Sequence, residues 1–182
     1  LNLLLILLLL ELEVLLDIEK KLIFFVDDNF IGDRKHAKEL LRELISLKIV
    51  YFAQVSVNLA RDDELLSLLA QSGCRKVVIG FESLVSDNLK QMEKDKSYKV
   101  EQYAEDIMKI QSLGIEIQGF FIFGYDFDDE TVFEKTVNFI KSTNLALPNL
   151  SVLTPLPGTR LFQRFDREGR LLYNDWRKYD GR

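Results

Sequence analysis

One stretch of the sequence, residues 21–30, constrains the fold more than any other. Five consecutive apolar residues, 22–26, are followed at once by Asp27, Asp28 and Asn29. An apolar run of this length is typical of a strand that is covered on both faces, as in a parallel sheet wrapped by helices. Two adjacent carboxylates are costly to bury without partners, so we expect them to emerge where the strand ends. In parallel α/β folds, that end of the strands is where ligands bind.

The same pattern returns along the chain. Four further apolar segments lie near residues 49–57, 76–81, 115–123 and 150–154, and stretches with apolar residues at helical spacing separate them. Strand–helix–strand units of this kind form right-handed crossovers on a parallel sheet. The units show no obvious reversal point. The sequence therefore predicts an α/β fold that is a partial (β/α) TIM-like barrel rather than a doubly wound sheet.

Polar side chains follow each predicted strand, and a parallel sheet brings such side chains to one edge. The set is acidic and rich in hydrogen-bonding groups, with one arginine. It suits a ligand that carries an amine or sulfonium together with hydroxyls and a carboxylate. Two glycines bracket a strand whose backbone a flat ligand could approach closely. The candidate cofactor-binding residues are Asp27, Asp28, Asn29, Gln54, Ser56, Asn58, Arg61, Glu82, Ser83, Gly119, Gly124 and Thr154.

Each of these residues alone also fits a structural role. Asp27 and Asp28 could equally cap a turn or the helix that follows them. Convergence at five successive strand ends is what favours a binding site.

The single cysteine and the single histidine are not expected to take part in chemistry. Cys74 lies just before the third strand, at the end opposite the candidate site, and is interpreted as a small buried hydrophobic residue. His36 has no second His or Cys at metal-ligand spacing, so no metal site is predicted. One cysteine excludes an internal disulfide and favours a reducing compartment, which predicts a cytoplasmic protein.

Charge and hydropathy exclude other partners. The net charge is −5 and the sequence has no run rich in lysine or arginine, so no nucleic-acid partner is predicted. The leucine-rich segment of residues 1–16 is too short to span a bilayer, which takes roughly 20 apolar residues, so no transmembrane segment is expected. We predict that this segment is helical, that residues 17–165 form the barrel, and that residues 166–182 begin a C-terminal extension.

Six short motifs occur in an order that resembles a known family. Together they are similar to the radical S-adenosylmethionine enzymes, in the branch that usually carries an N-terminal cobalamin-binding domain and includes hopanoid C-methylases. The resemblance covers roughly residues 20–182. The motifs are Val-Asp-Asp-Asn-Phe at 26–30, Ala-Gln-Val-Ser-Val-Asn at 53–58, Ser-Gly-Cys-Arg at 72–75, Ile-Gly-Phe-Glu-Ser at 79–83, Gly-Phe-Phe-Ile-Phe-Gly-Tyr-Asp at 119–126 and Leu-Thr-Pro-Leu-Pro-Gly-Thr at 153–159.

The resemblance implies a partial (β/α)6 barrel of the radical S-adenosylmethionine type. It also implies reductive cleavage of S-adenosylmethionine by a [4Fe–4S] cluster, a 5′-deoxyadenosyl radical that attacks a small-molecule substrate, and, in cobalamin-dependent members, methyl transfer to carbon. By position, residues 27–29 fall where the family contacts the methionine amino group. Ser56, Asn58 and Glu82 fall where it holds the methionyl and ribose portions. Residues 119–124 match the strand that packs on adenine, although Phe120 replaces the first glycine of the usual Gly-x-Ile-x-Gly.

One departure from the family pattern is large. The family's Cys-x3-Cys-x2-Cys loop lies upstream of the strand that bears Asp27, whereas this sequence has only Cys74. One cysteine cannot supply the three thiolates that a cluster needs. We therefore expect a radical S-adenosylmethionine enzyme fragment whose N-terminal βα unit is missing or altered. Its cluster and cobalamin would belong to the absent N-terminal segment of the parent, and this chain alone would bind neither.

Whether the chain is itself an enzyme stays open at this point, and two alternatives remain. It could be a catalytically inactive α/β domain that binds a nucleotide-like ligand or a protein partner. It could also be an unrelated barrel enzyme that uses Asp27 and Asp28 to hold a divalent metal, since hard cations prefer such oxygen ligands.

Overall fold

The computed structural model of the protein describes residues 7–12, 14, 22–94, 98–173 and 175–179. Within these ranges, five strands form one parallel sheet in the order β1-β2-β3-β4-β5. The strands are β1 (Ile23–Phe25), β2 (Tyr51–Gln54), β3 (Cys74–Glu82), β4 (Glu116–Phe123) and β5 (Leu147–Val152). The predicted alternation of strands and helices in a partial parallel barrel is confirmed.

Helices connect successive strands. Residues 7–12 are helical and are labelled α1. The helices after β1 are α2 (Arg34–Leu47), α3 (Asp63–Gln71), α4 (Ser86–Gln91), α5 (Tyr103–Ser112), α6 (Val132–Ser142) and α7 (Arg160–Arg167). Three 3-10 turns, Val57–Arg61, Val100–Gln102 and Trp176–Lys178, complete the described elements.

The strand order explains why the two faces of the sheet differ. Each right-handed crossover steps to the next strand in the same direction, so the connecting helices collect on one face. On that face, residues paired across the first four strands are buried, namely Phe25, Ala53, Val77 and Ile117. They belong to one core cluster with the apolar faces of α2, α3 and α5. We call this the helix-covered face, and the opposite one the open face.

The prediction that the first strand is covered on both faces is wrong. Phe24 and Val26 project to the open face and are 44% and 80% exposed. The strand is also shorter than expected, at Ile23–Phe25. Its apolar run reflects two environments: a helix-packed side, and a side that contributes to the interior of an incompletely closed barrel. On that open side, Phe24 stacks on Phe52 of β2 with ring centroids 4.5 Å apart.

Local sequence determines several helix starts. Asp33 accepts a hydrogen bond from the His36 backbone N at 3.0 Å and caps α2. Asp62 caps α3 in the same way through Leu65 N, at 3.1 Å. These caps fix where α2 and α3 begin and therefore how the preceding loops leave the sheet.

The leucine-rich segment is helical where it is described. In α1, Leu12 is 3% exposed and Leu8 and Leu9 pack against the core, whereas Leu7 and Leu10 are about half exposed. The helix is therefore buried on one side only. Residues 1–6, 13, 15 and 16 of the predicted segment lie outside the described residues.

No helix in the described part of the chain is long and apolar enough to cross a membrane. The domain boundaries predicted after residues 16 and 165 stay a prediction.

Candidate cofactor site at the strand ends

The end of β1 presents two carboxylates to solvent. Asp27 and Asp28 are exposed, and neither side chain has a hydrogen bond or ion pair with the described residues. Next to them, the Asn29 side-chain oxygen accepts a hydrogen bond from Ser56 N at 3.3 Å. The Phe30 backbone N donates to the Gln54 carbonyl at 2.9 Å. The loop after β1 is thus fastened to the end of β2, and its two carboxylates remain available.

The end of β2 holds its polar groups more firmly. The Ser56 hydroxyl donates to Asn58 Oδ1 at 2.8 Å, and Arg34 of α2 donates to the same oxygen at 3.0 Å and to the Asn58 carbonyl at 3.1 Å. Arg34 also pairs with Asp62 at 3.2 Å. Gln54 is exposed at the end of the strand. The ends of β1 and β2 therefore form one continuous polar rim.

The end of β3 contains a strained turn. Glu82 has a φ of 66°, and Ser83 N donates to the Phe81 carbonyl at 2.9 Å, which makes Glu82 the centre of a γ-turn. A non-glycine residue in this conformation costs about 1–3 kcal/mol and persists only where its surroundings hold it. The pairing of β3 with β4 skips Phe81 at this point. Strain at a strand end in a barrel is a feature of functional sites.

The turn places the Glu82 carboxylate over the open face of the sheet. A Cβ on Gly80 would lie 2.7 Å from Glu82 Oε1, so the carboxylate occupies the space that any larger residue at position 80 would fill. Lys94 Nζ bonds the same oxygen at 2.7 Å, and the Glu82 side chain is only 17% exposed. Glu82 is thus an oriented, charge-compensated carboxylate on the side of the sheet where a barrel enzyme binds its ligands.

A buried asparagine joins the ends of β3 and β4. Asn88 is fully buried, and its amide nitrogen donates to Ser83 Oγ at 3.0 Å and to Asp128 Oδ1 at 2.7 Å. Its amide oxygen accepts from Phe127 N at 3.1 Å. Asp128 in turn accepts from the backbone N of Gly124 at 2.8 Å. Ser83 and Gly124 are therefore positioned through Asn88 rather than directly by the sheet.

A second charged cluster supports the loop after β4. Asp126 accepts a hydrogen bond from Gln91 at 2.8 Å and pairs with Arg164 and Arg170, each at 2.8 Å. Partial burial acts to raise the pKa of Asp126, but the hydrogen bonds from Gln91 and Arg170 and the charges of both guanidinium groups outweigh it and hold the pKa below its ordinary value. The cluster ties the loop to α4, to α7 and to the segment after α7.

Three of the predicted site residues have other partners in the structure. Gly119 faces the helix-covered side, where a Cβ would lie 2.8 Å from Leu145 and 3.0 Å from Phe81. Its glycine is explained by packing, so the expectation that Gly119 gives a ligand access to the strand is corrected. Arg61 pairs at 3.3 Å with Asp106, whose pKa is raised by burial despite this neighbour. The hydroxyl of Thr154 donates to the Val152 carbonyl at 3.1 Å.

The structure tests which cofactors these residues fit. The acidic strand ends fit the cationic, hydroxyl-bearing parts of S-adenosylmethionine. An iron–sulfur cluster does not fit, because Cys74 is fully buried at the start of β3, the edge opposite the candidate site, and burial raises the pKa of its thiol to about 12. Within the described ranges, no group of three His, Cys, Asp or Glu residues could hold a metal ion, which gives the divalent-metal alternative no support.

Two residues of this edge were missed by the sequence reasoning. Asn88 lies in a short polar helix, and Lys94 follows that helix in a charged stretch. Neither sequence context distinguishes these residues from ordinary surface positions. Their importance arises from contacts across the fold, from Asn88 to Asp128 and from Lys94 to Glu82.

Comparison with known proteins agrees with this architecture. No protein-family model matches the chain. Over 163 residues it is 39% identical to bacteriochlorophyllide d C-12(1)-methyltransferase of Chlorobaculum tepidum, covering 89% of this chain and 35% of that protein. Over 162 residues it is 33% identical to hopanoid C-2 methylase of Rhodopseudomonas palustris, covering 86% of this chain and 31% of that protein. The chain thus spans about a third of the length of these curated relatives.

Among solved structures, the fold is similar to that of TsrM from Kitasatospora setae, a radical S-adenosylmethionine methyltransferase determined with cobalamin and a [4Fe–4S] cluster bound. The TM-score is 0.63 at 20% identity, over 72% of this chain and 27% of TsrM. A parallel sheet with helices on one face and polar strand ends on one edge defines a partial TIM-type barrel. In sequence the chain is similar to these two methyltransferases over about a third of their length, and in fold it is similar to TsrM.

Proposed function

We propose that this chain forms the S-adenosylmethionine-binding strand ends of a cobalamin-dependent radical S-adenosylmethionine methyltransferase that acts on a small molecule. The observation that carries the proposal is Glu82, a strained residue whose carboxylate is oriented over Gly80 on the open face. The fold alone would not suffice, because one fold hosts many functions. A held carboxylate at the centre of the edge is a specific feature of this site.

Each end of the edge has a distinct role in this proposal. Asp27 and Asp28 are carboxylates without partners among the described residues, and they suit the ammonium and sulfonium groups of the cofactor. Ser56 and Asn58 offer hydroxyl and amide groups beside them. Glu82 is an acceptor for the two ribose hydroxyls, because a carboxylate can take one hydrogen bond on each oxygen. Arg61, Gly119 and Thr154 are not carried into the proposed site.

When bound, the [4Fe–4S] cluster would supply the electron that cleaves S-adenosylmethionine, and cobalamin would carry the transferred methyl group. The residues of this chain do not hold the cluster, so we propose that cluster and cobalamin are bound by protein outside the 182 residues. The part of this chain is to bind S-adenosylmethionine and orient it. We place the protein in the cytoplasm, where an unpaired cysteine stays reduced.

Isothermal titration calorimetry of the full chain with S-adenosylmethionine tests the proposal. The wild type is expected to bind, and Glu82→Gln should weaken binding about 10- to 100-fold, since a hydrogen bond to a charged group contributes about 1.5–3 kcal/mol. The matched control is Glu116→Gln, which changes an exposed carboxylate at the opposite end of the sheet. Equal loss in both variants would remove Glu82 from the site. Absence of binding by the wild type would favour an inactive α/β domain.

A further inference from the structure

A cleft of about 350 Å³ lies beside the candidate site and is not used by the proposed cofactor contacts. It is enclosed by the end of α4, the loop after β4, the end of β5 and the first two turns of α7. Its apolar lining includes Met92, Tyr125, Leu153 and Leu161, and its charged lining consists of Arg160 and Arg164. Small-molecule sites have this volume and this mixture of apolar walls with a few polar groups.

The charges around the cleft are nearly balanced. Arg164 and Arg170 are both paired with Asp126 and Glu168, so these two cations and two anions cancel. Arg160 has no hydrogen bond or ion pair with the described residues. It therefore leaves one uncompensated positive charge on the wall of the cleft.

Arg164, the other charged residue of the lining, is held in place by its neighbours. Asp126 orients its guanidinium through Nη2 at 2.8 Å, and the group lies over the Phe165 ring at 5.1 Å from the centroid. Its Nε is buried without a hydrogen-bond partner among the described residues, and Glu168 Oε1 lies 3.8 Å from it.

We propose that this cleft is the substrate site of the methyltransferase and that it takes an apolar molecule carrying a single carboxylate. This inference rests on the proposed function. Arg160 would neutralise the carboxylate, and the apolar body would lie against Met92, Leu153 and Leu161. One net positive charge matches a monoanion, whereas a phosphate dianion would stay half compensated.

The position and the charge of the cleft separate it from the cofactor region. Tyr125 lines the cleft, and its pKa is raised first by burial and then by the nearby Glu82 and Asp128 carboxylates, which places the cleft close to the end of β3. The cofactor region is acidic and suits the cationic part of S-adenosylmethionine. The wall of the cleft formed by α7 carries the unpaired charge of Arg160, and Asp126 beside it is already paired, so this wall would attract an acid rather than a sulfonium or ammonium.

The chain has two methionines, which makes a direct test possible. Met92 lines the cleft, and Met108 is 56% exposed on α5. With the methionine methyl groups labelled with carbon-13, the full chain would be titrated with 2-naphthaleneacetic acid and with 2-naphthaleneacetamide, its neutral counterpart. The acid should shift the Met92 resonance and not that of Met108. The amide should bind about tenfold more weakly, as expected for the loss of one charge-assisted contact of about 1.4 kcal/mol.

Two arginine variants complete the test. Arg160→Gln should reduce the preference for the acid to about twofold or less. Arg167→Gln is the matched control, since Arg167 lies on the same helix, bonds the Gln163 carbonyl and does not line the cleft. Equal binding of acid and amide by the wild type, an unchanged preference in Arg160→Gln, or displacement of the acid by S-adenosylmethionine would each overturn the proposal. Acid binding does not require S-adenosylmethionine, so this inference and the cofactor proposal can fail separately.

Discussion

The two halves of the carboxyl edge are built in different ways. At the ends of β3 and β4, Glu82, Ser83 and Asp128 are held by Lys94, by buried Asn88 and by backbone amides. At the end of β1, Asp27 and Asp28 are exposed and have no partner among the described residues. The polar groups at the ends of β3 and β4 are held by contacts within the chain. The two carboxylates at the end of β1 are available to a ligand.

This difference has a thermodynamic meaning. Buried polar networks stabilise a fold when every member is satisfied and destabilise it strongly when one member is removed. Exposed carboxylates are solvated in both the folded and the unfolded state and contribute little to stability. Stability should therefore respond mainly to mutation at the ends of β3 and β4, whereas ligand binding should respond to mutation both at Glu82 and at Asp27, and four experiments examine this difference.

The largest effect on stability is expected at Asn88. Asn88→Ala removes the three hydrogen bonds that the Asn88 side chain makes with Ser83, Asp128 and the Phe127 backbone N. Because these groups then lack that partner, the free energy of unfolding should fall by about 2–4 kcal/mol. The matched change at the other end is Asn29→Ala, which removes one 3.3 Å bond at an exposed position and should cost less than about 1 kcal/mol. Urea denaturation measures both. Similar losses would show that the two halves are equally organised.

Gly80→Ala should separate binding from folding. The added Cβ would lie 2.7 Å from Glu82 Oε1 and displace this carboxylate from the open face, while the backbone stays in an ordinary strand conformation. We expect affinity for S-adenosylmethionine to fall about tenfold, equivalent to about 1.4 kcal/mol, with a smaller change in the free energy of unfolding. Val78→Ala, two residues earlier on the same face, should stay within about twofold of wild type by calorimetry. A Gly80→Ala variant with a lower free energy of unfolding but the same affinity as wild type would contradict this role for Gly80.

Asp126→Asn should lower stability by about 1 kcal/mol at neutral pH, because it removes a partly exposed charge paired with two arginines. The pKa of Asp126 is lowered in the folded protein, so its contribution is present above the ordinary value of 3.8 and is lost as pH falls through the folded-state pKa. The difference between wild type and variant should therefore be constant near neutrality and shrink below about pH 4. Denaturant titrations at several pH values measure it. Asp166→Asn, an exposed change on α7, should show no such trend.

The smallest effect on stability is expected at Asp27. Asp27→Asn should change the free energy of unfolding by less than about 0.5 kcal/mol, because the carboxylate has no partner among the described residues. The same variant should bind S-adenosylmethionine more weakly than wild type. A clear loss of stability with unchanged binding would assign Asp27 to a structural role such as a turn or helix cap.

Much of the fold could be predicted from the sequence because the relevant interactions are local or periodic. Apolar runs separated by helical patterns predicted the five strands of the parallel sheet. The motif at 79–83 pointed to Glu82. Strand lengths were less accurate, since β1 ends at Phe25 although the apolar run continues to Val26.

The parts of the site that could not be predicted depend on which face a residue occupies and on distant partners. Glycine is compatible both with ligand access and with close packing, and only the register of β4 against β3 places Gly119 under Phe81 and Leu145. In the same way, the sequence suggested that Arg61 is available to a ligand carboxylate, but the fold brings it into an ion pair with Asp106.

The sequence by itself determined the class of fold, the edge on which polar groups gather and the resemblance to a family. These follow from hydrophobic periodicity and from residue types at fixed spacing along the chain. Only the tertiary structure decided how that edge is divided. Burial of Asn88, the turn at Glu82 and the cleft at Arg160 each require segments distant in sequence to meet, and the energy of a polar group depends on the partners and the solvent that surround it in the folded chain.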